Sequence, residues 1–344
     1  MLLVARHRRP RAELYIDLGT ANTLLRARGG GLVLDEPSVV ALREDAAGRR
    51  AIVAAGGRAH AMVGRIPQAV TTVRPLREGV IADFGATTLM LREFAGRYPA
   101  RSWRRRPHVA ISLPYAVTAV EREAVREAGL QSGAGTVTLL DEPMAAAIGA
   151  GLPALEASAS MIVDVGSGIT EAALISLGGI VLCESVRLGG DHMDEAIAQL
   201  VRRRYNVLVG ERSTELAKIV LARATGEGPV DTLCVRGRDL TSGLPCTVRV
   251  TSGDVLEAVG GIVDRIVETV RRALAGTPAE LAADIAETGI TLTGGGALIR
   301  GLDTRLARVT GVPVSVDAAP LSTIARGGQA VLDHDGLLER IGRA

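Results

Sequence analysis

The chain has 344 residues, of which 23% are charged and 47% are hydrophobic, and its formal net charge at pH 7 is +2. Its length predicts two domains with substantial cores, and its charge argues against disorder and against nucleic acid as a partner. The three cysteines form no CxxC pair and show no metal-binding spacing, which favours a reducing cytoplasm. Glycine, proline and glutamate interrupt the longest apolar stretch, so no transmembrane helix is predicted. The apolar run at residues 1–4 is too short for a signal peptide and has no cleavage site.

In chain order, strand-like runs alternate with helical patterns, which favours an α/β architecture. Residues 14–18 and 23–26 predict a hairpin, and residues 108–113 predict a short buried strand. Residues 118–128 place apolar side chains on one helical face. Further on, Asp191 and Ser252 can each cap an amphipathic helix. We assign these apolar faces to hydrophobic cores.

A short repeat links the two halves of the chain. Residues 16–23 read IDLGTANT and residues 163–170 read VDVGSGIT, and both fit the pattern apolar-Asp-apolar-Gly-(Ser/Thr)-x-x-Thr. Each copy predicts a strand, a glycine turn and a returning strand. Two copies, each opening one half of the chain, predict a duplicated domain with a cleft between the halves.

The two repeats have the composition of a phosphate clamp. Glycine lets backbone N–H groups converge on phosphate oxygens, and carboxylates hold Mg²⁺, often through water. The residues concerned are Asp17, Gly19, Thr20, Ala21 and Asn22 in the first loop, and Asp164, Gly166, Ser167 and Gly168 in the second.

Two further features bear on nucleotide binding. The turn LTGGGALIRG at residues 292–301 has no Walker lysine, so it is not a P-loop, but it lets a flat ring lie against bare backbone. Lys218 is the single lysine among forty basic residues. An ammonium and a guanidinium are not interchangeable where shape matters, although a lone lysine on a surface helix is an equally open interpretation.

A series of motifs runs over residues 14–332. They are IDLGTANTLL, LDEPSVVAL, VRPLREGVIADF, LDEPMAAAIGAGLP, MIVDVGSGITEAALISLGGIV, GGDHMDEAI, YNVLVGERSTELAK, VRGRDL and LTGGGALIRGLDTRL. Together they resemble the actin, Hsp70 and sugar-kinase ATPase superfamily and, within it, the MreB family of bacterial actins. YNVLVGERSTELAK and GVIADF resemble that family in particular.

The resemblance implies an actin-like α/β fold with two lobes, each a mixed five-stranded sheet flanked by helices, and with ATP and Mg²⁺ in the cleft between them. It implies a lobe I core (IA) of residues 1–34, 77–152 and 319–344, with a small subdomain IB at 35–76. It implies a lobe II core (IIA) of residues 153–189 and 255–318, with a small subdomain IIB at 190–254.

Residue by residue, the resemblance also implies roles in the cleft. Glu142 matches the acidic residue that positions the attacking water, although in the first turn of a helix its carboxylate also complements the dipole. Asp17 and Asp164 match the carboxylates near Mg²⁺, which they would hold through water. The implied nucleotide-binding residues are Asp17, Gly19, Thr20, Ala21, Asn22, Gly166, Ser167 and Gly168 around the phosphates, Glu215 and Lys218 at the adenosine, and Gly294, Gly295 and Gly296 at the adenine.

The second loop departs from the family pattern. The family usually reads D-I-G-G-G-T-T-E where this chain reads DVGSGITE. Ser167 would be strained if its position needs a positive φ, although Thr20 occupies the equivalent place in the first loop. Ile169 replaces the threonine expected to hold the catalytic water, and isoleucine can neither donate nor accept a hydrogen bond. We therefore predict ATP binding with slow hydrolysis.

The resemblance also implies filaments on the inner face of the cell membrane that guide cell-wall synthesis through membrane proteins. Two segments could contact lipid: the N-terminal MLLVARHRRPR, and the loop that carries Trp103, Arg104 and Arg105. Aromatic rings and arginines suit the anionic headgroup boundary. A frayed terminus and a solvated basic loop are the alternatives.

Three other functions remain open. An Hsp70-like regulatory ATPase is disfavoured because the sequence shows no peptide-binding domain after the third glycine turn. A small-molecule kinase on the same fold could use Glu142 as a base, but no sugar-binding signature stands out. A nearly inactive paralogue would be regulated by nucleotide binding alone.

Overall fold

The computed structural model describes residues 13–46, 48–66, 69–98, 103 and 106–342. Its strands are β1 Leu14–Leu18, β2 Asn22–Ala27, β3 Gly31–Pro37, β4 Val40–Glu44, β5 Arg50–Ala55, β6 Val70–Val73, β7 Leu76–Arg77, β8 Val80–Ile81, β9 His108–Leu113, β10 Thr136–Asp141, β11 Ser160–Val165, β12 Thr170–Ser176, β13 Gly179–Val186, β14 Val207–Val209, β15 Thr232–Asp239, β16 Pro245–Thr251, β17 Ile290–Thr293 and β18 Val314–Val316. Its helices are α1 Gly57–Met62, α2 Phe84–Ala95, α3 Ala119–Ser132, α4 Glu142–Gly149, α5 Gly190–Tyr205, α6 Glu211–Leu221, α7 Ser252–Ala275, α8 Ala279–Thr288, α9 Leu302–Thr310, α10 Thr323–Asp333 and α11 Leu337–Ile341.

Two five-stranded mixed sheets share one connectivity. The first has the order β10-β9-β1-β2-β3 and defines lobe I, and the second has the order β13-β12-β11-β17-β18 and defines lobe II. In each, the central strand, β1 or β11, is antiparallel to the strand that follows it and parallel to a later one. Both central strands are buried along their whole length because helices cover both faces. The duplicated actin-like α/β fold is therefore confirmed.

Smaller sheets accompany each lobe. The order β5-β4-β6 forms one three-stranded sheet, β14-β15-β16 forms another, and β7 pairs with β8 alone. The first of these lies within residues 35–76 and the second within residues 190–254. The subdomain boundaries themselves stay a prediction.

The two lobes share a close-packed base. One hydrophobic cluster joins Tyr15 and Leu24 of lobe I to Ile162 and Ala173 of lobe II, with α4 and α10 between the sheets. The two helices approach through glycine, because a Cβ at Gly149 of α4 would overlap the Thr323 carbonyl oxygen and a Cβ at Gly327 of α10 would overlap the Ala145 carbonyl oxygen. This base fixes the sheets so that the loops at the ends of β1 and β11 face each other.

Two helix starts differ from the sequence prediction. Thr251, not Ser252, caps α7 in a reciprocal capping box with Asp254. Helix α5 begins after Gly189 without a side-chain cap, and Asp191 lies in its first turn. The reason for the second difference is the glycine pair at 189–190, which packs against the second of the two predicted phosphate loops, where a Cβ at Gly189 would lie 2.6 Å from the Ser167 carbonyl oxygen. Within the part of the chain that the structure describes, no helix combines the length and apolarity needed to cross a membrane.

Candidate functional site

The two repeated loops meet across the cleft. The first loop turns between β1 and β2, and a Cβ at Gly19 would lie 2.7 Å from the Asn22 carbonyl oxygen. The second loop turns between β11 and β12, and Gly166 N–H donates to the Ile169 carbonyl at 3.0 Å. A Cβ at Gly168 would lie 2.9 Å from Thr20 Oγ1, so glycine is required where the loops approach each other. Ser167 is not among the residues with positive φ, so the strain considered from the sequence does not arise.

The third glycine turn packs on the end of β11. Gly294 has φ 78°, and a Cβ there would lie 2.7 Å from Asp164 Oδ1. A Cβ at Gly296 would lie 2.8 Å from Val165 Cβ, while Gly295 faces the Leu321 side chain. The structure thus brings residues 294–296 beside the second phosphate loop, as the nucleotide-site prediction requires.

Buried carboxylates line the floor between the loops. Burial raises the pKa of Asp17 to about 7, even though Ser112 Oγ donates to its carboxylate at 3.2 Å. Burial, then the nearby charge of Glu171, raises the pKa of Asp164 to about 7. Burial raises the pKa of Glu142 well above its ordinary value, and the negative charge of Asp17 raises it further. Like charges held together without water are costly, so the floor favours a cation over an anion.

The donor set fits a hydrated divalent cation. Asp164 Oδ1 is buried and has no hydrogen-bond partner among the described residues. No group of three or more His, Cys, Asp or Glu side chains that could hold a metal ion occurs within the described ranges. Mg²⁺ keeps several waters and commonly takes one or two carboxylates plus substrate phosphates. Asp17 and Asp164 supply two such carboxylates at the phosphate loops.

Glu171 is a site residue that sequence reasoning missed. It is 2% exposed, and its carboxylate accepts the backbone N–H groups of Tyr115 and Ala116, both at 3.2 Å. It therefore ties lobe II to the loop that follows β9 in lobe I. The sequence could have identified Glu171, because the predicted hairpin after Asp164 places Glu171 directly opposite Asp164 in the strand register.

Ile169 lies in an apolar corner of the cleft. Its side chain is 6% exposed. A Cβ at Gly79 would lie 3.2 Å from Ile169 Cγ2 and 2.8 Å from Pro114 Cγ. The corner next to the second loop therefore offers carbon atoms from both lobes, and neither the Ile169 nor the Pro114 side chain can hold a water by a hydrogen bond.

Polar contacts close the cleft from lobe I to lobe II. Between β7 and β8, Glu78 Oε1 lies 3.7 Å from His192 Nε2 in α5 of lobe II. The neighbouring Gly79 N–H donates to Thr20 Oγ1 at 3.0 Å, which holds this turn to the first loop within lobe I. Arg74 donates from Nε to Glu211 at 2.6 Å, and its Nη2 contacts the same oxygen. Glu211 is the first residue of α6, so this ion pair spans the cleft beside the predicted adenosine residues.

The predicted adenosine residues lie one turn apart on α6. Lys218 Nζ donates to Asp194 Oδ2 at 2.7 Å and to the Gly190 carbonyl at 3.1 Å. Glu215 is half-buried on the same helix.

Two further predicted residues belong to the first loop. Ala21 accepts the Ser38 N–H through its carbonyl, and Asn22, at the start of β2, is exposed. Ala21 and Asn22 thus lie in the first loop, whereas Glu215 and Lys218 lie on the helix that borders the cleft.

The membrane candidates divide into described and undescribed residues. Trp103 is half-buried against lobe I, and its indole Nε1 donates to the Ser132 carbonyl at 3.3 Å. Gly133, with φ 120°, makes room for that ring, because a Cβ there would lie 2.6 Å from Nε1. Arg104 and Arg105 lie outside the described residues, as does the N-terminal segment 1–12. Membrane contact at this loop stays a prediction.

Comparison with known proteins supports one family. The family model for the MreB/Mbl protein matches residues 11–340. The cell shape-determining protein MreB of Escherichia coli (strain K12) is 48% identical over 323 residues, which cover 93% of each chain. The crystal structure of MreB 5 of Spiroplasma citri bound to AMPPNP has a TM-score of 0.88 and 31% identity, covering 96% of this chain and 98% of that one. The MamK double helical filament has a TM-score of 0.76 at 20% identity, covering 93% and 99%, and shows the fold alone. With its two glycine loops and carboxylate floor in an actin-like cleft, the chain belongs to the MreB/Mbl family.

Proposed function

We propose that this chain binds ATP with Mg²⁺ in the cleft and polymerises into filaments on the cytoplasmic face of the cell membrane, where they organise cell-wall synthesis. The observation that carries nucleotide binding is the pair of glycine loops that face each other over Asp17 and Asp164. The related MreB 5 of Spiroplasma citri is bound to AMPPNP in its crystal structure, which supports the same ligand class here.

Different residues of the chain would bind the phosphates, hold the cation and orient the attacking water. Backbone N–H groups of the two loops would bind phosphate oxygens, and Asp17 and Asp164 would hold Mg²⁺ through water. When bound, the cation neutralises phosphate charge. Burial and the neighbouring carboxylates raise the pKa of Glu142, which makes its carboxylate a stronger base, so it would orient the water and take its proton. Ile169 gives that water no second hydrogen bond, which makes hydrolysis slow.

Self-assembly is supported by the family and by exposed apolar side chains. The Escherichia coli relative is a cell shape-determining protein. On the outer face of α6, Leu216, Ile219 and Val220 are 51%, 70% and 41% exposed. An apolar stripe on a surface helix is typical of a face that is covered by a partner. We propose that subunits of this chain cover one another in the filament.

Electron microscopy with a pelleting assay tests the proposed function. We expect filaments with Mg-ATP and with Mg-AMPPNP, because assembly depends on nucleotide binding and not on hydrolysis. The absence of filaments in every nucleotide state would contradict the cytoskeletal proposal and favour a regulatory ATPase. Phosphate transfer to a small molecule instead of assembly would favour a kinase.

The ion pair between Arg74 and Glu211 is expected to slow nucleotide release. Exposed ion pairs contribute about 0.2–1 kcal/mol, so Arg74→Ala is expected to release a fluorescent ATP analogue about 1.4- to fivefold faster. Stopped-flow displacement by excess ATP measures the rate. The exchanged pair Arg74→Glu/Glu211→Arg should restore slow release, and a rate in Arg74→Ala equal to that of the wild type would exclude this role.

Membrane association is expected to depend on the arginines beside Trp103. Each basic residue near an anionic surface contributes about 1 kcal/mol, so Arg104→Ser/Arg105→Ser should bind anionic vesicles at least about tenfold more weakly. The matched control is Arg202→Ser/Arg203→Ser, which removes two exposed charges on α5. Co-sedimentation with phosphatidylserine vesicles measures the difference, and equal binding by both double variants would count against the loop. Trp103→Ser is harder to interpret, because the change also removes the hydrogen bond from the indole to the Ser132 carbonyl of lobe I.

A further inference from the structure

The ammonium group of Lys218 is held between two helices of lobe II. Its two acceptors, Asp194 Oδ2 and the Gly190 carbonyl, both belong to α5, whereas Lys218 belongs to α6. The side chains of Lys218 and Asp194 are 18% and 16% exposed. An ammonium group has three N–H donors, so one remains for a ligand. The single lysine of the chain is therefore fixed at two points, and its third N–H donor has no partner among the residues that the structure describes.

The start of α5 connects this lysine to the second phosphate loop. Gly190 N–H donates to the Gly166 carbonyl at 3.1 Å, and Asp191 N–H donates to the Ser167 carbonyl at 2.9 Å. A Cβ at Gly189 would lie 2.6 Å from the Ser167 carbonyl oxygen. The same short segment thus supports the loop on one side and holds the Lys218 ammonium on the other, which sets the distance between them.

Gly190 also limits what can stand in place of Lys218. A Cβ at Gly190 would lie 3.1 Å from Lys218 Nζ, so the ammonium rests directly on the backbone. A planar guanidinium has a different shape and a longer reach, and it does not substitute for a compact ammonium at such a contact. This explains why a chain whose other basic residues are all arginine has lysine here.

Asp194 is retained at a cost to stability. Burial raises its pKa to about 6, even though the positive charge of Lys218 acts in the opposite direction. Its Oδ1 atom is buried and has no hydrogen-bond partner among the described residues. A buried carboxylate with an unsatisfied oxygen is unfavourable, and apolar side chains of similar size often serve stability better than a buried ion pair. Stability alone gives no reason for an aspartate at this position.

We propose that Asp194 is a positioning residue for nucleotide binding, which holds the Lys218 ammonium against Gly190 at a fixed distance from the second phosphate loop. The inference rests on the proposed binding of ATP in the cleft. Asp194 acts through Lys218, whose third N–H is the donor left for the nucleoside side of the ligand.

A double-mutant cycle on nucleotide affinity tests this role. Calorimetric titration with Mg-AMPPNP should show about tenfold weaker binding for Asp194→Ala, because a charged hydrogen bond that fixes the lysine is lost. Asp194→Asn keeps an acceptor without the charge and should lose about threefold. Lys218→Met should lose about tenfold, and Asp194→Ala/Lys218→Met should bind no more weakly than Lys218→Met alone. Phosphate release at saturating Mg-ATP should be unchanged in both Asp194 variants.

The outcomes separate this inference from the function on which it rests. The matched control is Asp264→Asn, which removes the negative charge from another lobe II ion pair, that with Arg305, and should bind as the wild type does. Additive losses in the double variant, or wild-type affinity in Asp194→Ala, would overturn the positioning role while leaving ATP binding intact. Failure of the wild type to bind Mg-AMPPNP would overturn both. If Asp194→Ala does not fold, Asp194→Asn in the wild-type and Lys218→Met backgrounds completes the same cycle.

Discussion

Replacing Ile169 with threonine is expected to raise phosphate release per subunit by roughly a hundred- to a thousandfold. One hydrogen bond made to the transition state typically contributes about 2.7–4 kcal/mol, and the wild-type side chain cannot make it. Threonine is also branched at Cβ, so it fits the backbone of the second loop. Its hydroxyl would place a polar atom in the corner that Ile169, Gly79 and Pro114 now fill with carbon.

A phosphate-release assay under polymerising conditions measures this effect. Ile169→Val is the matched control, because valine has nearly the shape of threonine and no hydroxyl, so its rate should stay at the wild-type level. Both variants should keep the wild-type affinity for Mg-AMPPNP, since neither change removes a backbone N–H group that we propose to bind phosphate. Equal rates in the wild type and Ile169→Thr would show that the isoleucine does not limit hydrolysis.

Replacing Asp164 with asparagine is expected to weaken Mg-ATP binding and to stabilise the nucleotide-free protein. A carboxylate that orients the water ligands of a metal contributes about ten- to a hundredfold to its affinity. The raised pKa, about 7, means that the folded protein holds more protons at this site than the unfolded chain between about pH 4 and pH 7. Stability therefore falls as pH rises through that window and stays low above it.

Asparagine carries no charge, so it removes the loss of folding stability that ionisation of the buried Asp164 causes. At pH 8, without nucleotide, Asp164→Asn should unfold about 5 °C above the wild type, and the gain should shrink steadily as pH falls from 7 towards 4. Scanning calorimetry at several pH values, together with titration of Mg²⁺ at fixed ATP, measures both effects. Asp303→Asn, in the first turn of α9, is the control. An unchanged Mg²⁺ requirement or a lower unfolding temperature would refute the role of Asp164.

Much of the fold and of the site could be predicted because the relevant signals are local. The IDLGTANT and VDVGSGIT repeats each encode a complete strand, turn and returning strand, so the sequence alone predicts that Asp17 and Asp164 end equivalent strands. The predicted duplication and the membership of the family are confirmed. The roles of individual site residues stay predictions, which the variants of Ile169, Asp164 and Asp194 test.

The features that the sequence analysis missed depend on contacts that hydrophobic periodicity does not encode. Glu171 enters the site because its strand register places it across from Asp164 and because the loop after β9 brings two N–H groups to it. Asp194 matters because two helices bring it to Lys218, 24 positions along the chain. Thr251 takes the capping position predicted for Ser252 because β16 runs directly into α7. None of these relations has a periodic pattern in the sequence.

Chemical identification of the nucleotide in pelleted filaments tests the central claim most directly. Filaments assembled with Mg-ATP, pelleted after a fixed time and extracted with acid should contain one nucleotide per subunit, predominantly ATP. Filaments of Ile169→Thr treated in the same way should contain mainly ADP. Wild-type filaments without nucleotide, or wild-type filaments that contain mainly ADP at the earliest time point, would contradict the account.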